Sequence, residues 1–379
     1  MKLAKLTTKN LKRRPMRTLL TLGGVACAML LLVLVESLSA GLDRAMSGTD
    51  AARTLVVYRL NRYCPQTSFL PEWYVPRIAE IPGVTSVLPV KVYLNNCRAS
   101  LDIVPFNGVP ADKLATARKF DVLDGAYEQF VNERDAALVG RGFAERKSLS
   151  VGDQFRFGGI NVKVAGIFGS AEPVEEGTVI THLEYLQRAV AVNKLGTVTQ
   201  FEVKIDDASR AKEISAQIDD LFRTAPEPTD TRSRILFLER ATRDLREILH
   251  FARILGAACV AVVLALVANT VLMSVQERVR EFGVFRTLGF HARHVAGLVV
   301  GESLILSLVG GAVGLGLAFA TIHWTSLTIG SEGVPVSFST EPELILRGVV
   351  IAVVTGLAAG LFPAWRSSRA EIVESLRAN

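Results

Sequence analysis

The sequence predicts a membrane protein with four transmembrane α-helices and a large α+β extracytoplasmic domain inserted between helices 1 and 2. Hydrophobic residues make up 49% of the 379-residue chain, yet 21% of the residues are charged. This balance is typical of a chain with both lipid-facing and water-facing parts. Four apolar runs approach or exceed the ~20 residues that a helix needs to cross a bilayer. The stretch between the first and second runs is polar enough to fold in water.

The apolar runs set the predicted boundaries. They begin with TLLTLGGVACAMLL, ILGAACVAVVLAL, VAGLVVGESLIL and GVVIAVVTGLAAG. We predict an amphipathic cytoplasmic helix at 1–17 and a cytoplasmic tail at 366–379. The four crossings are predicted at 18–40, 248–275, 295–322 and 344–365. Between them lie the α+β domain (41–247), a coupling helix or loop (276–294) and a short extracytoplasmic loop (323–343). The first run also fits a signal peptide, but its apolar core exceeds the usual ~7–15 residues and no A-x-A site follows it.

The distribution of Lys and Arg predicts the orientation. Seven precede the first run, four lie in 276–294, three follow the fourth run, and none lies in 323–346. Lys and Arg concentrate in cytoplasmic loops. Both termini and the 276–294 joint are therefore predicted to be cytoplasmic, with the α+β domain outside.

Short strands and helices are mixed in the predicted α+β domain. TLVVYRL is a β-branched strand, PEWYVPRIAEIPG a short helix and turn, and Gly158-Gly159 a hairpin turn. FEVKID predicts another strand, and residues 208–222 have helical spacing. TAPEPTDTRSR is predicted as a turn-rich break, followed by one helix that runs from LFLERATRDL into the second crossing.

No catalytic or metal-binding constellation is apparent. The sequence contains no G-x-S-x-G, H-E-x-x-H or C-x-x-C motif, and His182 is the only histidine well inside the α+β domain. We therefore predict a non-catalytic chain without a metal site. No basic patch is interleaved with aromatic residues, which argues against nucleic-acid binding.

Two cysteines, Cys64 and Cys97, fall in the predicted extracytoplasmic domain. A disulfide between them would close a loop of about 34 residues and contribute about 4 kcal/mol in the chain-entropy model. Two unrelated free thiols are the alternative, because bonding depends on geometry that the sequence does not give.

Several crossings carry polar or small residues. Glu36 and Glu302 lie near membrane faces, and Asn269 lies inside the second crossing. A proton relay would need more ionisable groups at mid-depth, so packing and interface roles are favoured. Glycines in the third crossing leave a smooth face for close helix packing, within this chain or with another subunit: Gly310, Gly311 and Gly314.

The joint between the second and third crossings, SVQERVREFGVFRTLGFHARH, combines basic, acidic, aromatic and glycine residues. Opposite charges three residues apart favour a helix, and a glycine favours its end. The orientation rule explains the arginines but not the aromatic or acidic residues, so we predict a stiff helix that fills a socket on another protein. A loop that is basic for orientation alone is the alternative. The candidate residues are Glu277, Arg278, Arg280, Glu281, Phe282, Phe285, Arg286 and Gly289.

Four stretches resemble motifs of the MacB/FtsX-like permeases, the mechanotransmission class of ABC transporters. ERVREFGVFRTLG is similar to their E-R-x-R-E-I-G-x-x-R-A-L-G signature, and FPAWRSSRAEIVESLR to their C-terminal motif. LTTKNLKRRPMRTLLTLGGV resembles their amphipathic helix and first crossing, and VGDQFRFGGINVKVAGIF their outer-domain hairpin. The resemblance therefore runs the length of the chain.

The resemblance implies a permease subunit in the bacterial cytoplasmic (inner) membrane. A separate cytoplasmic ATPase would bind ATP and Mg, since the sequence has no G-x-x-x-x-G-K-[ST] motif. Its hydrolysis would move the extracytoplasmic domain and export or extract a substrate. The other implied partners are a second permease subunit, membrane lipids and, as an open point, a periplasmic membrane-fusion adaptor. The alternative is an FtsX-like regulator that controls cell-wall hydrolases without moving cargo.

Overall fold

The computed structural model describes residues 14–46, 51–62, 67–94, 100–101, 103–170, 172–190, 195–287, 291–325, 328–331, 334–339 and 341–369. The chain divides into two compact units. The helical unit consists of Met1–Ser37, Leu249–Thr325 and Ser339–Asn379, and the α+β unit of Leu38–Ile248 and Ser326–Phe338.

The described residues form helices of two length classes. Four long helices belong wholly or mainly to the helical unit, and the others are short. In chain order they are α1 (Pro15–Ala45), α2 (Tyr74–Ala79), α3 (Ala111–Ala117), α4 (Tyr127–Asn132), α5 (Arg141–Lys147), α6 (Leu183–Val190), α7 (Ala211–Leu221), α8 (Arg234–Ala241), α9 (Arg243–Glu277), α10 (Val279–Thr287), α11 (Ala292–Thr325) and α12 (Pro342–Arg369).

All the strands belong to the α+β unit. They are β1 (Thr54–Arg59), β2 (Leu70–Pro71), β3 (Val84–Tyr93), β4 (Ser100–Leu101), β5 (Phe106–Val109), β6 (Phe120–Gly125), β7 (Ala136–Gly140), β8 (Gln154–Phe157), β9 (Ile160–Ser170), β10 (Val179–His182), β11 (Thr197–Val198), β12 (Gln200–Ile205), β13 (Thr229–Ser233), β14 (Thr328–Ser331) and β15 (Val334–Ser337).

Ten strands form one mixed sheet in the order β13-β1-β12-β3-β5-β10-β7-β9-β6, with β8 pairing β9. The β5–β10 and β7–β9 pairs are parallel, and the other pairs are antiparallel. Buried side chains of β1 and β12 pack with α2 and α7 in one core, whereas those of β5, β7 and β9 contribute to two others. The unit therefore has one sheet that serves separate cores along its length.

Two glycine turns position strands as the sequence predicts. Gly83 has a φ of +99° just before β3, and Gly158 has a φ of +55° between β8 and β9. Glycine adopts these left-handed conformations without the steric conflict that a Cβ would cause.

The predicted turn-rich break TAPEPTDTRSR is wrong over its second half, which forms β13 and pairs antiparallel with β1. Thr229 and Thr231 are buried, and their hydroxyls donate hydrogen bonds of 2.9 and 2.6 Å to Asp219 Oδ1 on α7. Because these residues are polar, the strand has no hydrophobic pattern in the sequence. Their burial is favourable because Asp219 on α7 accepts their hydrogen bonds.

The single helix predicted to lead into the second crossing is in fact two helices, α8 and α9. Thr242 separates them, and its hydroxyl donates a 2.7 Å hydrogen bond to the Leu238 carbonyl. Threonine hydroxyls compete for backbone acceptors and can end or bend a helix. The sequence contains no Pro at this position, and so gave no obvious breaker signal.

The predicted loop at 323–343 contains secondary structure. Strands β14 and β15 form an antiparallel hairpin, and β14 also pairs with β4 of the inserted domain. Val334 and Val336 are buried. The hairpin therefore belongs to the α+β unit, although it is separated from the rest of that unit by two long helices.

The helical unit is built around buried aliphatic side chains. Within the described residues, four helices are long and apolar enough to cross a membrane: Pro15–Ala45, Arg243–Glu277, Arg293–Trp324 and Pro342–Arg366. On α9 the buried residues Val263, Val267, Val271 and Val275 recur every four positions. This spacing places them on one face of a helix, which packs into the core of the unit.

Candidate functional site

The joint between α9 and α11 is helical but interrupted. Helix α9 ends at Glu277, Arg278 forms a turn, and α10 follows at Val279. The Arg278 amide donates to the Val275 carbonyl at 3.1 Å, which is a tighter turn than that of an α-helix. The described part of the joint thus carries all of the sequence-predicted candidates except Gly289, which lies outside the described residues. The side chains of Arg280, Phe282, Phe285 and Arg286 also lie outside the description.

Arg278 is buried between two carboxylates. Its Nε lies 3.1 Å from Glu281 Oε2, and its Nη1 lies 3.7 Å from Glu302 Oε2 on α11. Glu302 also accepts a 2.9 Å hydrogen bond from Ser274 on α9. The side chains of Arg278 and Glu302 are only 8% and 10% exposed, so water screens their attraction weakly. This buried network joins the end of α9 and the start of α10 to Glu302, about three turns into α11.

Glu277 forms ion pairs with two arginines at the start of α1. Its Oε1 lies 3.3 Å from Arg14 Nη2 and 3.2 Å from Arg17 Nη1. Deeper in the unit, the buried hydroxyls of Thr21 and Thr270 are 2.9 Å apart. The ion pairs are partly exposed and each contributes little to stability, but together with the threonine pair they fix the register of α1 against α9.

The described charged side chains of the joint therefore mostly form ion pairs within this chain. Glu277, Arg278 and Glu281 all bind other charged residues, and the Arg278–Glu281 pair is the one that the three-residue charge spacing predicted. In the sequence, the partners Arg14 and Arg17 contributed only to the predicted orientation. Glu302 was predicted only to have a packing or interface role. On α10, Val284 is 47% exposed and Thr287 is exposed, so this helix retains a free surface for a partner.

The glycines of the third crossing lie against neighbouring helices. A Cβ on Gly310 would be 2.7 Å from Val25 Cβ, and one on Gly311 would be 2.9 Å from Ala352 Cβ. A Cβ on Gly314 would be 2.8 Å from Met29 Cβ. All three separations are too short for real side chains, so these glycines allow α11 to approach α1 and α12 closely.

Two further glycines, on α12, also allow close helix packing. The sequence analysis did not predict them. A Cβ on Gly356 would lie 2.9 Å from Ser307 Cβ, and one on Gly360 would lie 3.1 Å from Val300 Cα. Their spacing of four residues is the small-xxx-small pattern, which was available in the sequence.

One face of α9 is left uncovered. Only 11% of its most apolar stretch is buried, against 33% to 39% in the other three long helices. Ala261, Ala265 and Asn269 are exposed at intervals of four residues, in line with exposed Met273. A polar amide on a lipid-facing surface has no hydrogen-bond partner in hydrocarbon, so this face is suited to contact with another helix.

A second buried charge cluster lies in the α+β unit. Arg118 donates two hydrogen bonds to Glu202, from Nε at 3.1 Å and from Nη2 at 2.7 Å. Glu175 Oε1 lies 3.5 Å from Arg118 Nε and 3.4 Å from Nη2 of Arg234, the first residue of α8. Glu175 also accepts a 2.7 Å hydrogen bond from Ser170. The cluster links β9, β12, the end of α3 and the start of α8, and sequence spacing gave no sign of it.

Opposite charges outweigh desolvation in this cluster. Burial by itself would lower the pKa of Arg118, yet Glu202 and Glu175 hold that pKa above its ordinary value. Burial would likewise raise the pKa of Glu202, but Arg118 and Arg234 hold it below its ordinary value. Both groups are therefore charged at neutral pH.

The remaining sequence-predicted sites are not brought together by the described residues. Cys64 and Cys97 lie outside them, so their disulfide stays a prediction. Within the part of the chain that is described, no group of three or more His, Cys, Asp or Glu side chains could hold a metal ion.

Two family models match the chain. The MacB-like periplasmic core domain matches residues 18–221, more than half of the sequence. The FtsX-like permease C-terminal domain matches residues 253–372, which include the joint.

Individual proteins and one solved structure are similar to this chain. An uncharacterized ABC transporter permease of Methanocaldococcus jannaschii is 21% identical over 97% of this chain and 96% of its own length. The pyoverdine export ATP-binding/permease protein PvdT of Pseudomonas fluorescens is 24% identical over 95% of this chain, which spans 57% of that protein. The solved extracellular domain of the Gram-positive ABC-type transporter YknZ is 16% identical over 47% of this chain and 98% of that domain, with a TM-score of 0.35.

We predict that removing one member of the buried Arg278–Glu302 pair is much more costly than removing both. Arg278→Met should lower the free energy of unfolding by about 3–5 kcal/mol because it leaves Glu302 buried without its counter-charge. Arg278→Met combined with Glu302→Leu should recover most of that loss. Thermal unfolding of the purified protein in detergent measures both effects. Arg293→Met, at an exposed position of the same joint, is the control. Strictly additive losses in the double variant would contradict the pairing.

The buried cluster of the α+β unit should make stability depend on pH. The folded-state pKa of Glu202 is below its ordinary value of 4.5. Its ionised form therefore stabilises the fold above that value, and the contribution disappears as the pH falls through the lower folded-state pKa. Glu202→Gln should lower Tm at neutral pH and weaken the acid dependence of Tm. Exposed Glu184→Gln should change neither, and an unaltered Tm profile for Glu202→Gln would refute the assignment.

Proposed function

This chain belongs to the MacB/FtsX-like permeases of ABC transporters, and from that membership we propose that it is the permease subunit of an export or extraction transporter. It is a membrane protein with a large extracytoplasmic α+β domain. The sequence has no P-loop, so ATP binding has to come from outside these 379 residues. We assign ATP and Mg to a separate cytoplasmic ATPase subunit and a non-catalytic role to this chain.

The observation that carries the proposal is the buried position of Arg278 within the joint. Motion of α10 acts on Arg278 directly, because the two are consecutive in the chain. Arg278 binds Glu302 on α11, while the adjacent Glu277 binds Arg14 and Arg17 at α1. A displacement applied to α10 would therefore reach α9 through the turn at Arg278, and α11 and α1 through ion pairs.

The surface of α10 is the proposed seat for the ATPase. Val284 is exposed, whereas the neighbouring Gly283 is buried. The inward side of the joint is occupied by the Arg278 network, which leaves the outward side for an intermolecular contact. Exposed apolar residues at the centre of a docking helix contribute most when a partner excludes water from them.

Helix α9 is the proposed transmission element. It has 35 residues without interruption, and at 1.5 Å per residue it is about 52 Å long. Its first residues, up to Ile248, belong to the α+β unit, and its remainder belongs to the helical unit. Thr242 then forms a joint to α8, whose first residue Arg234 binds Glu175. We propose that this route converts ATPase closure into movement of the α+β domain.

We also propose that the uncovered face of α9 binds a second permease subunit. Ala261 and Ala265 permit close helix approach, and Asn269 one turn further on can form an interhelical hydrogen bond. The orientation that suits this assembly has both termini in the cytoplasm and the helices in the inner membrane, in agreement with the distribution of Lys and Arg. The pyoverdine export protein that this chain resembles supports export as the direction of transport.

Substitution of Val284 tests the ATPase seat. A tagged wild-type chain should co-purify with an ABC ATPase, and Val284→Arg should lower its recovery by about tenfold, which corresponds to about 1.4 kcal/mol of binding free energy. Val131→Arg is the matched control, because Val131 is 42% exposed on the α+β domain. Membrane insertion should be normal in both variants. Equal recovery of the ATPase with Val284→Arg would contradict the seat, and the absence of any ABC ATPase would contradict the proposed function.

Substitution of Asn269 tests the second subunit. Asn269→Val should weaken self-association of the chain about 3- to 30-fold, because it removes an interhelical hydrogen bond worth about 0.6–2 kcal/mol. Fluorescence energy transfer between labelled chains, diluted stepwise in liposomes, measures the change. Met273→Leu keeps the volume of a residue on the same face and should have no such effect. Unchanged association in Asn269→Val would place the subunit contact elsewhere.

A further inference from the structure

A groove of about 390 Å³ lies between α1 and α12 in the helical unit. Its walls are apolar and include Leu32 on α1 and Val350 and Ile351 on α12. Leu32 lies within the predicted first crossing, and Val350 and Ile351 lie within the fourth, so a bilayer would place these walls against acyl chains. The volume falls in the range of ordinary ligand pockets.

Charges of both signs stand at one end of the groove. Glu36, Glu343 and Arg347 line this end. Arg347 Nη2 lies 2.8 Å from Glu343 Oε1, and Glu36 Oε1 lies 3.2 Å from Arg253 Nε on α9. The Glu343 and Arg347 side chains are 64% and 58% exposed, so both retain capacity to bind a ligand.

The charged end belongs to the membrane interface. Glu343 and Arg347 are in the first turns of α12, and Val350 lies about one turn deeper along the same helix. Glu36 similarly follows Leu32 by one helical turn on α1. A ligand in the groove would thus meet apolar walls at one end and carboxylates with a guanidinium at the other, which is the pattern of a phospholipid rather than of a water-soluble substrate.

We propose that this groove binds one molecule of phosphatidylethanolamine. One of its two acyl chains lies along Leu32 and Val350, the phosphate accepts hydrogen bonds from Arg347, and the ammonium group donates to Glu343 and Glu36. Phosphatidylcholine has no N–H donor for the carboxylates, and phosphatidylglycerol has no cation for them. A second copy of the chain is better suited to the uncovered face of α9, where small residues permit close helix contact. This inference concerns a lipid partner and is independent of the ATPase seat.

Native mass spectrometry of the detergent-purified full chain, with any ATPase that co-purifies, tests the lipid site. The sample is incubated with equal amounts of phosphatidylethanolamine, phosphatidylcholine and phosphatidylglycerol that carry the same acyl chains. We expect one retained phosphatidylethanolamine, preferred about two- to fivefold over the other two lipids, which is the effect of exposed ion pairs. Glu343→Gln combined with Arg347→Gln should abolish the preference while lipid of any headgroup is still retained.

A pair of tryptophan substitutions separates the groove from the general lipid surface. Val350→Trp fills the groove and should lower retained phosphatidylethanolamine about tenfold. Val354→Trp, one turn away on the same helix and 58% exposed, should leave retention unchanged. Equal retention in both variants, or no headgroup preference in the wild type, overturns the site in favour of general membrane lipid. A changed monomer–dimer ratio in Val350→Trp with unaltered lipid retention overturns it in favour of a second copy.

Discussion

The ion pair between Arg278 and Glu302 is the interaction on which the organisation of the helical unit depends. A charged residue at the end of a membrane helix is costly unless it has a counter-charge or reaches water. Here the guanidinium and the carboxylate are both buried, and Ser274 satisfies a further oxygen of Glu302. The pair therefore has two consequences: it stabilises the burial of both charges, and it attaches the turn between α9 and α10 to α11.

The α+β domain contains a second buried cluster of the same kind. Arg118 is held by Glu202 and Glu175, and Glu175 in turn binds Arg234 at the start of α8. In both clusters an arginine binds carboxylates from separate elements, so that small relative movements would break several hydrogen bonds. Buried networks of this kind favour one arrangement of the elements. The cluster therefore holds the start of α8 against β9 and β12.

The helical unit offers surfaces of three distinct chemistries. The exposed side of α10 carries the apolar residue Val284, which suits a protein partner in water. The uncovered face of α9 combines alanines with Asn269, which suits another helix in lipid. The groove between α1 and α12 combines aliphatic walls with charges of both signs, which suits an amphiphile. Because the three surfaces consist of different residues, the three proposed partners need not compete for them.

The sequence by itself determined the four long apolar helices, the glycine hairpin at Gly158, the helical character of the joint and, through its motifs, the family. These features depend on hydropathy, local spacing and backbone freedom, which are properties of neighbouring residues. Only the tertiary structure decided that TDTRS is a strand, that Thr242 divides a helix, that the hairpin after α11 pairs with β4, and that Arg278 binds Glu302. Each of these depends on a partner distant in the sequence, or on a choice among several local hydrogen-bond acceptors. The sequence does not distinguish a polar residue that is exposed to water from one that is buried in an ion pair or hydrogen bond. The buried residue needs a partner, and only the fold brings that partner into contact.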